Sequence, residues 1–506
     1  MFKINDRVRA SRNAEATESG GEQTQSSTFR TERWKYLLDA CIIVAMGTVL
    51  FWGISTQFPN RYNDATRYQC YAIAFWQGKA GLHALGLDAN PKSQCAFLNA
   101  SSSTTLIQKM QERHFPSFLI KLVASQPTSE PFHALPPEYP LLTLIPFSLP
   151  LLAPAQWYEI VFAICMAIIA GIIYLILKRY RSMSAAIAFA IYLVLGNWAT
   201  AEGRFDLIPA GLTLGAVILA ARARWKWAFV LLALATLLKF YAAVLIPPLL
   251  IAQQMQLANS EGDRKGARST PLLSRPYKDT EGLSPAVSAQ QMRSKDRWFA
   301  WSRWSALAVF IGTCVVVLAV SFILNVADTL VPFSYFVNRP IQVESFPGTL
   351  LWLGNFLGYS VQYTMLYQSL NFLSPLANKV SLLSTLLLGA GVLYTWWLQW
   401  RGKIDLYMAC LLTMLIVLIT GKVFSPQYLI WVAPLIALVG ESNWKWLVSW
   451  GTVAILTTCI FPFIYIDLAH IQAYYGVILV RDLLIVAIVC VLLFNASKSK
   501  DLTFSS

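Results

Sequence analysis

Outside its apolar stretches this 506-residue chain carries few groups able to do chemistry, and they fall in short clusters. Asp64 closes Arg61-Tyr-Asn-Asp64 and opens a segment in which Tyr68, Tyr71, Ala72, Phe75 and Trp76 recur at helical spacing, the pattern of an amphipathic helix lying in a membrane interface. A carboxylate in the first turn of that helix can accept a proton from a hydroxyl substrate; equally, Asn63 or Asp64 can serve only as the helix cap. Glu202-Gly-Arg-Phe-Asp206 sets Arg204 between two acids at the mouth of an apolar run, either as a structural ion pair or as part of a site. Lys239, in Leu238-Lys-Phe-Tyr241, lies at the far end of its apolar run, where a lysine cannot snorkel to a basic interface. Lys422 precedes Ser425-Pro-Gln-Tyr428 at a helix start, where free backbone N–H groups and a cation together favour an anion. Glu344, in Gln342-Val-Glu-Ser-Phe-Pro347, begins a short apolar stretch (350–357) that reads as re-entrant. Arg481-Asp482, inside the last apolar run, is a satisfied internal pair or part of a polar cavity.

Other chemistries lack their residues. The four histidines, His83, His114, His133 and His470, do not have helical metal-ligand spacing, so neither a metal nor any other cofactor is expected. No phosphate-binding glycine loop precedes a helix and no Gly-x-Ser-x-Gly elbow occurs, which leaves nucleotide-driven transport and serine hydrolysis without support.

The elements that must position these groups are set by composition. Apolar residues make up 56% of the chain and charged ones only 13%, about half of what a soluble domain carries, so an all-α polytopic membrane protein is expected. Lys+Arg 40 against Asp+Glu 26 leaves +14, but the basic residues sit at the ends of apolar runs, the positive-inside pattern of a bilayer protein and not a nucleic-acid footprint. Ten runs are long enough to cross: 36–56, 157–177, 183–199, 204–221, 303–326, 378–400, 404–421, 424–440, 446–466 and 475–495. The loops Lys178-Arg-Tyr-Arg181, Arg222-Ala-Arg224-Trp-Lys226 and Arg401-Gly-Lys403, with Lys498 and Lys500, are assigned to the cytoplasm.

Both flanks of 226–253 are basic, so that stretch must turn back, as two half-helices with a break at Leu238-Lys-Phe-Tyr241; by the same parity 139–153 dips in without crossing. The count is then about twelve crossings with both termini cytoplasmic. The chain divides into a disordered tail (1–33), an N-terminal membrane part (34–253) with a long outer loop (57–138), a disordered cytoplasmic loop (254–302), a C-terminal membrane part (303–496) and a cytoplasmic tail (497–506). Cys70 and Cys95 share the outer loop and either pair or remain thiols. The class has two readings, an enzyme with its site on the outer face or a secondary transporter or flippase. Transporters usually repeat half the chain, and halves 1–250 and 251–506 do not.

Taken in order, Asp64, Glu138-Tyr-Pro140, Gly203-Arg-Phe-Asp-Leu-Ile-Pro209, Leu238-Lys-Phe-Tyr241 with Pro247-Pro248, Glu344-Ser345 and Lys422-Val-Phe-Ser-Pro-Gln-Tyr428 resemble the GT-C superfamily of polytopic glycosyltransferases, and within it family 87, the polyprenyl-phosphate-mannose-dependent mannosyltransferases. The proline that commonly follows the tyrosine in that family is Ala242 in this chain. The resemblance implies a multi-pass plasma-membrane enzyme with an extracytoplasmic site. It would move a hexose, mannose above all, from a polyprenyl-phosphate donor to a hydroxyl of a lipid or glycan acceptor, with inversion and without nucleic acid or cofactor. It implies Asp64 as base, Arg204, Lys239 and Lys422 on the donor phosphate, and Glu138, Tyr139, Asp206, Tyr241, Glu344, Gln427 and Arg481 against substrate.

Overall fold

The computed structural model describes residues 21–58, 63–87, 134–268, 301–326, 328–332, 339–366, 369–464 and 471–498, with isolated short stretches between 95 and 124. His133 and His470, residues 269–300 of the polar insert and 499–506 of the tail lie outside the described residues. The chain divides into two compact units; the first, up to Met46, is described as the opening part of α1 (Gly21–Ser55), and the second, Gly47–Ser506, holds all that follows.

The protein is an all-α membrane protein. Its second unit continues through α2 (Asp64–Ala84), α3 (Ser117–Ala124), a strip of one-turn helices from Leu141 to Leu152 that includes α4 (Leu144–Ser148), α5 (Tyr158–Tyr180), α6 (Met183–Asn197), α7 (Leu207–Ala221), α8 (Trp225–Leu238) and α9 (Ile246–Arg268). Then come α10 (Trp301–Leu324), α11 (Phe346–Asn355), α12 (Ala377–Trp400), α13 (Leu406–Thr420), α14 (Tyr428–Gly440), α15 (Trp444–Thr458) and α16 (Ile471–Lys498). Seven described spans are long and apolar enough to cross a bilayer; six of them fall on the ten apolar runs and the seventh, Phe240–Ala258, follows the break after α8, whereas the runs 183–199, 204–221, 404–421 and 424–440, expected to be long enough to cross, form helices of only 13 to 15 residues. The large apolar side chains left bare on α10 (Ile311, Val315, Val316, Val320, Ile323) and α12 (Leu382, Leu386, Leu393) make sense only against lipid.

Local chemistry starts and stops these helices. Ser182 caps α6 at Ala185 N (3.1 Å), Asp405 caps α13 at Met408 N (2.8 Å) and Ser345 caps α11 at Gly348 N (3.1 Å). Between α8 and α9 the helix breaks where expected: Lys239 is extended (φ −155°, ψ 119°) and a 3-10 turn, Phe240–Leu245, follows. Pro247 and Pro248 keep that turn from joining α9 as one continuous helix, since each lacks an N–H donor and crowds the preceding turn, whereas in the first turn of α9 they are tolerated.

A small antiparallel sheet lies among the helices, with β1 (Ile341–Gln342), β2 (Gln362–Leu366) and β3 (Ser369–Leu373) in the order β1-β3-β2. Phe372 pairs with Ile341 on one side and Tyr363 on the other, meets the Tyr475 ring at 5.7 Å, and belongs to a buried cluster with Val343, Ile460 and Ile478. A side chain at Gly348 would run into the Gln342 carbonyl, so only glycine lets α11 approach β1.

Several elements differ from the sequence reading. Helix α1 begins at Gly21 and α9 continues to Arg268, so both extend into stretches expected to be disordered; the Gln, Leu, Ala, Glu, Lys and Arg of the α9 extension are adequate helix formers once a membrane helix has nucleated the turn. Helix α2 is no surface-lying amphipathic helix. Ala65, Thr66 and Tyr68 to Phe75 are buried beneath the 141–152 strip and α5, with Tyr68 stacked on Phe147 at 4.1 Å and Gln69 Nε2 donating to Ala155 O at 2.8 Å. Cys70 and Cys95 form a disulfide.

Candidate active site

The site grows from the start of α2. Asn63 is extended and its Oδ1 accepts from Thr66 N at 2.9 Å, while its Nδ2 donates to Glu159 Oε2 at 3.0 Å. Asn63 is therefore the cap, and Asp64 is left over. Its carboxylate lies between two arginines, with Oδ2 2.5 Å from Arg204 Nη1 and Oδ1 3.4 Å from Arg67 Nη1. Burial pushes the Asp64 carboxyl up, but Arg204, then Arg67 and Lys239, outweigh it and hold the group below the usual carboxylate range. It is thus ionised at neutral pH, as a proton acceptor must be.

Arg67 was not singled out in the sequence, although it is one helical turn beyond Asp64. Its Nη2 reaches Glu138 Oε1 at 2.5 Å and so ties α2 to the 134–140 loop. Tyr139 follows on that loop, its ring edge-on to Phe205 (5.2 Å) and Tyr68 (6.0 Å).

The turn between α6 and α7 supplies the second half. Asp206 is fully buried, and its Oδ1 accepts from both Lys239 Nζ and Trp431 Nε1, each at 2.5 Å. The ammonium sits over three rings, Trp431 (5.0 Å), Phe205 (5.1 Å) and Tyr428 (5.8 Å), and Trp431 is itself sandwiched between Tyr241 (4.1 Å) and Tyr428 (3.9 Å). A deeply placed lysine is tolerable because a carboxylate and aromatic faces replace its water. Glu202, the other acid of that motif, pairs with neither: both its oxygens are buried without a hydrogen-bond partner, and burial pushes it up to about 8.

A second cluster stands around Glu344. Arg481 and Asp482 are both fully buried and paired at 2.9 Å, while Arg481 Nη1 is buried without a hydrogen-bond partner. Arg481 Nη2 also donates to the Glu344 carbonyl (2.5 Å), Thr349 Oγ1 donates to Asp482 (3.0 Å), and the guanidinium lies 4.0 Å from the Phe424 ring centre. The Glu344 carboxyl accepts from Tyr474 OH at 3.3 Å; burial raises it to about 7 against the opposing charges of Arg481 and Arg204.

Asp64, Glu138, Tyr139, Arg204, Asp206, Lys239 and Tyr241 therefore come together in one place, and Glu344 and Arg481 form a neighbouring one. The three candidate phosphate cations differ in availability. Arg204 and Lys239 each already hold a carboxylate, while the Lys422 side chain has no ion pair recorded among the described residues and its carbonyl accepts from Gln342 N at 2.9 Å. Gln427 is the residue before α14; its side chain makes no cap and its Oε1 is buried without a partner. Phe205 and Trp431 escaped the sequence reading because aromatic residues are frequent in apolar runs, and nothing local marks the two that face an ammonium.

The chain matches no protein-family model, and no curated protein is significantly similar to it.

Proposed function

We propose that the protein is a membrane glycosyltransferase of the GT-C kind that moves a hexose, mannose by resemblance, from a polyprenyl phosphate to a hydroxyl of a lipid or glycan acceptor. The observation that carries this reading is Asp64: a carboxylate relieved of helix capping by Asn63, ionised, and flanked by cations suited to a phosphate leaving group. Tyr139 also lines a small, mostly apolar cleft with Leu141, Leu237, Phe240, Val317 and Leu318, next to the apolar side chains left bare on α10, the side from which a donor with an isoprenoid tail would approach.

In this reaction the acceptor hydroxyl gives its proton to Asp64 as its oxygen bonds to the anomeric carbon from the face opposite the phosphate. The bond from that carbon to the phosphate oxygen breaks, its electron pair stays on the phosphate, and Arg204 and Lys422 stabilise the charge that develops. One displacement inverts the anomeric centre. The Cys70–Cys95 disulfide supports an extracytoplasmic site at the plasma membrane, since such bonds persist in oxidising compartments. About twelve crossings with both termini in the cytoplasm fit this orientation. Incubating purified protein with radiolabelled polyprenyl-phosphate mannose and candidate acceptors tests the reading, and label that stays on the donor with every acceptor class counts against it.

A further inference from the structure

We infer, resting on the glycosyl-transfer reading above, that Arg204 is handed from Asp64 to the donor's phosphate when the lipid binds, so that Asp64 takes the acceptor's proton only with donor in place, while Arg67 holds the carboxylate in position. Three carboxylates (Asp64, Glu138, Asp206) face three cations (Arg67, Arg204, Lys239), so the resting cluster carries no spare positive charge for a phosphate. Lys422 offers a phosphate one cation from outside this cluster; to gain a second, the phosphate must take one from a carboxylate already there.

The geometry singles out which one. Lys239 is fixed by Asp206 and by three aromatic rings, and Arg67 spans two carboxylates. Arg204 has Asp64 as its recorded ion pair, through one nitrogen, and at 22% side-chain exposure it is the most accessible of the six groups. A phosphate accepts two parallel N–H bonds from a guanidinium, so the exchange replaces a single-point contact by a forked one.

The consequence falls on Asp64. The charged and titratable groups acting with it are Arg204, Arg67, Lys239, Tyr68 and Tyr139; after burial, which favours the protonated form, Arg204 is the largest influence and acts oppositely. Withdrawing Arg204 makes the carboxylate more basic at the moment a base is needed. Arg67, one turn along α2 and anchored on Glu138, remains as the positioning residue that keeps Asp64 aimed.

A double-mutant cycle on binding of farnesyl phosphate, a short polyprenyl monophosphate, to the full-length protein in nanodiscs tests the exchange. Asp64→Asn frees Arg204 and should tighten binding by about 10- to 100-fold, the equivalent of one ionic hydrogen bond no longer sacrificed. In the Arg204→Gln background the same substitution should change nothing. Equal tightening in both backgrounds would mean that Asp64 merely repels phosphate through space, and overturns the exchange alone. Failure of the folded wild-type protein to bind farnesyl phosphate overturns the glycosyl-transfer reading itself. An infrared difference spectrum requires no Arg204 variant: farnesyl phosphate should shift the Asp64 carboxylate band, identified by its loss in Asp64→Asn, and an unmoved band contradicts the exchange.

Discussion

Asp64 Oδ2 lies 2.5 Å from Arg204 Nη1, so the turn between α6 and α7 is locked to the first residue of α2 by an ion pair that neither segment predicts alone. Because Asn63 does the capping, Asp64 can be altered without unseating the helix. Asp64→Asn should fold and bind the lipid donor at least as well as wild type while turnover falls by about 100- to 10,000-fold. Turnover and donor affinity measured on one preparation decide this, and a loss below about tenfold would shift the base to Glu138 or Asp206.

Lys239 and Lys422, both expected on the phosphate, should separate by phenotype. Lys239→Ala leaves Asp206 buried without its cation and should lower stability by about 3–5 kcal/mol, with activity lost along with folded protein. Lys422→Ala breaks no recorded pair; its melting temperature should stay near wild type while kcat/KM falls about 10- to 100-fold. Thermal unfolding in detergent beside kinetics makes the comparison, and equal melting temperatures for the two variants would contradict it.

Much of this was legible in the sequence. The helices follow from the apolar runs, although four of those runs fold into helices of only 13 to 15 residues, and the break at Lys239 followed from basic flanks on both sides of one hydrophobic stretch. Asp64, Arg204, Asp206 and Lys239 stand out because ionisable residues beside apolar runs are rare. Their pairing was not legible. Glu202 and Asp206 are equally plausible partners for Arg204 by spacing, yet Arg204 turns to Asp64, Asp206 takes Lys239 and Glu202 takes neither, a choice made by helix packing across the bundle. The burial of α2 was hidden for a related reason, since its Ala, Tyr and Phe pattern fits a half-buried helix until the 141–152 strip covers its other side.

Glu202 sets a pH dependence of stability. Its folded-state value of about 8 lies above the ordinary 4.5, so the folded protein binds the extra proton and stability drains away as pH rises between those values. Glu202→Gln, which mimics the protonated acid, should melt close to wild type at pH 5 and progressively higher than wild type towards pH 8. Parallel melting curves of the two proteins across that range would show that Glu202 is not buried as a neutral acid.

The outer-face assignment of Asp64 and Glu138 predicts labelling as well. In intact cells an impermeant thiol reagent should modify Glu112→Cys, exposed in the loop after α2, and spare Arg224→Cys, exposed between α7 and α8. The reverse pattern would invert the orientation.

The central claim is that Asp64 deprotonates an acceptor during sugar transfer from a lipid phosphate. The most direct measurement is the anomeric configuration and yield of product when the purified wild-type protein is given polyprenyl-phosphate mannose of known configuration and a hydroxyl acceptor. The account predicts a labelled mannosyl product of inverted configuration, absent with Asp64→Asn. Product of retained configuration, or undiminished product from Asp64→Asn, would contradict it.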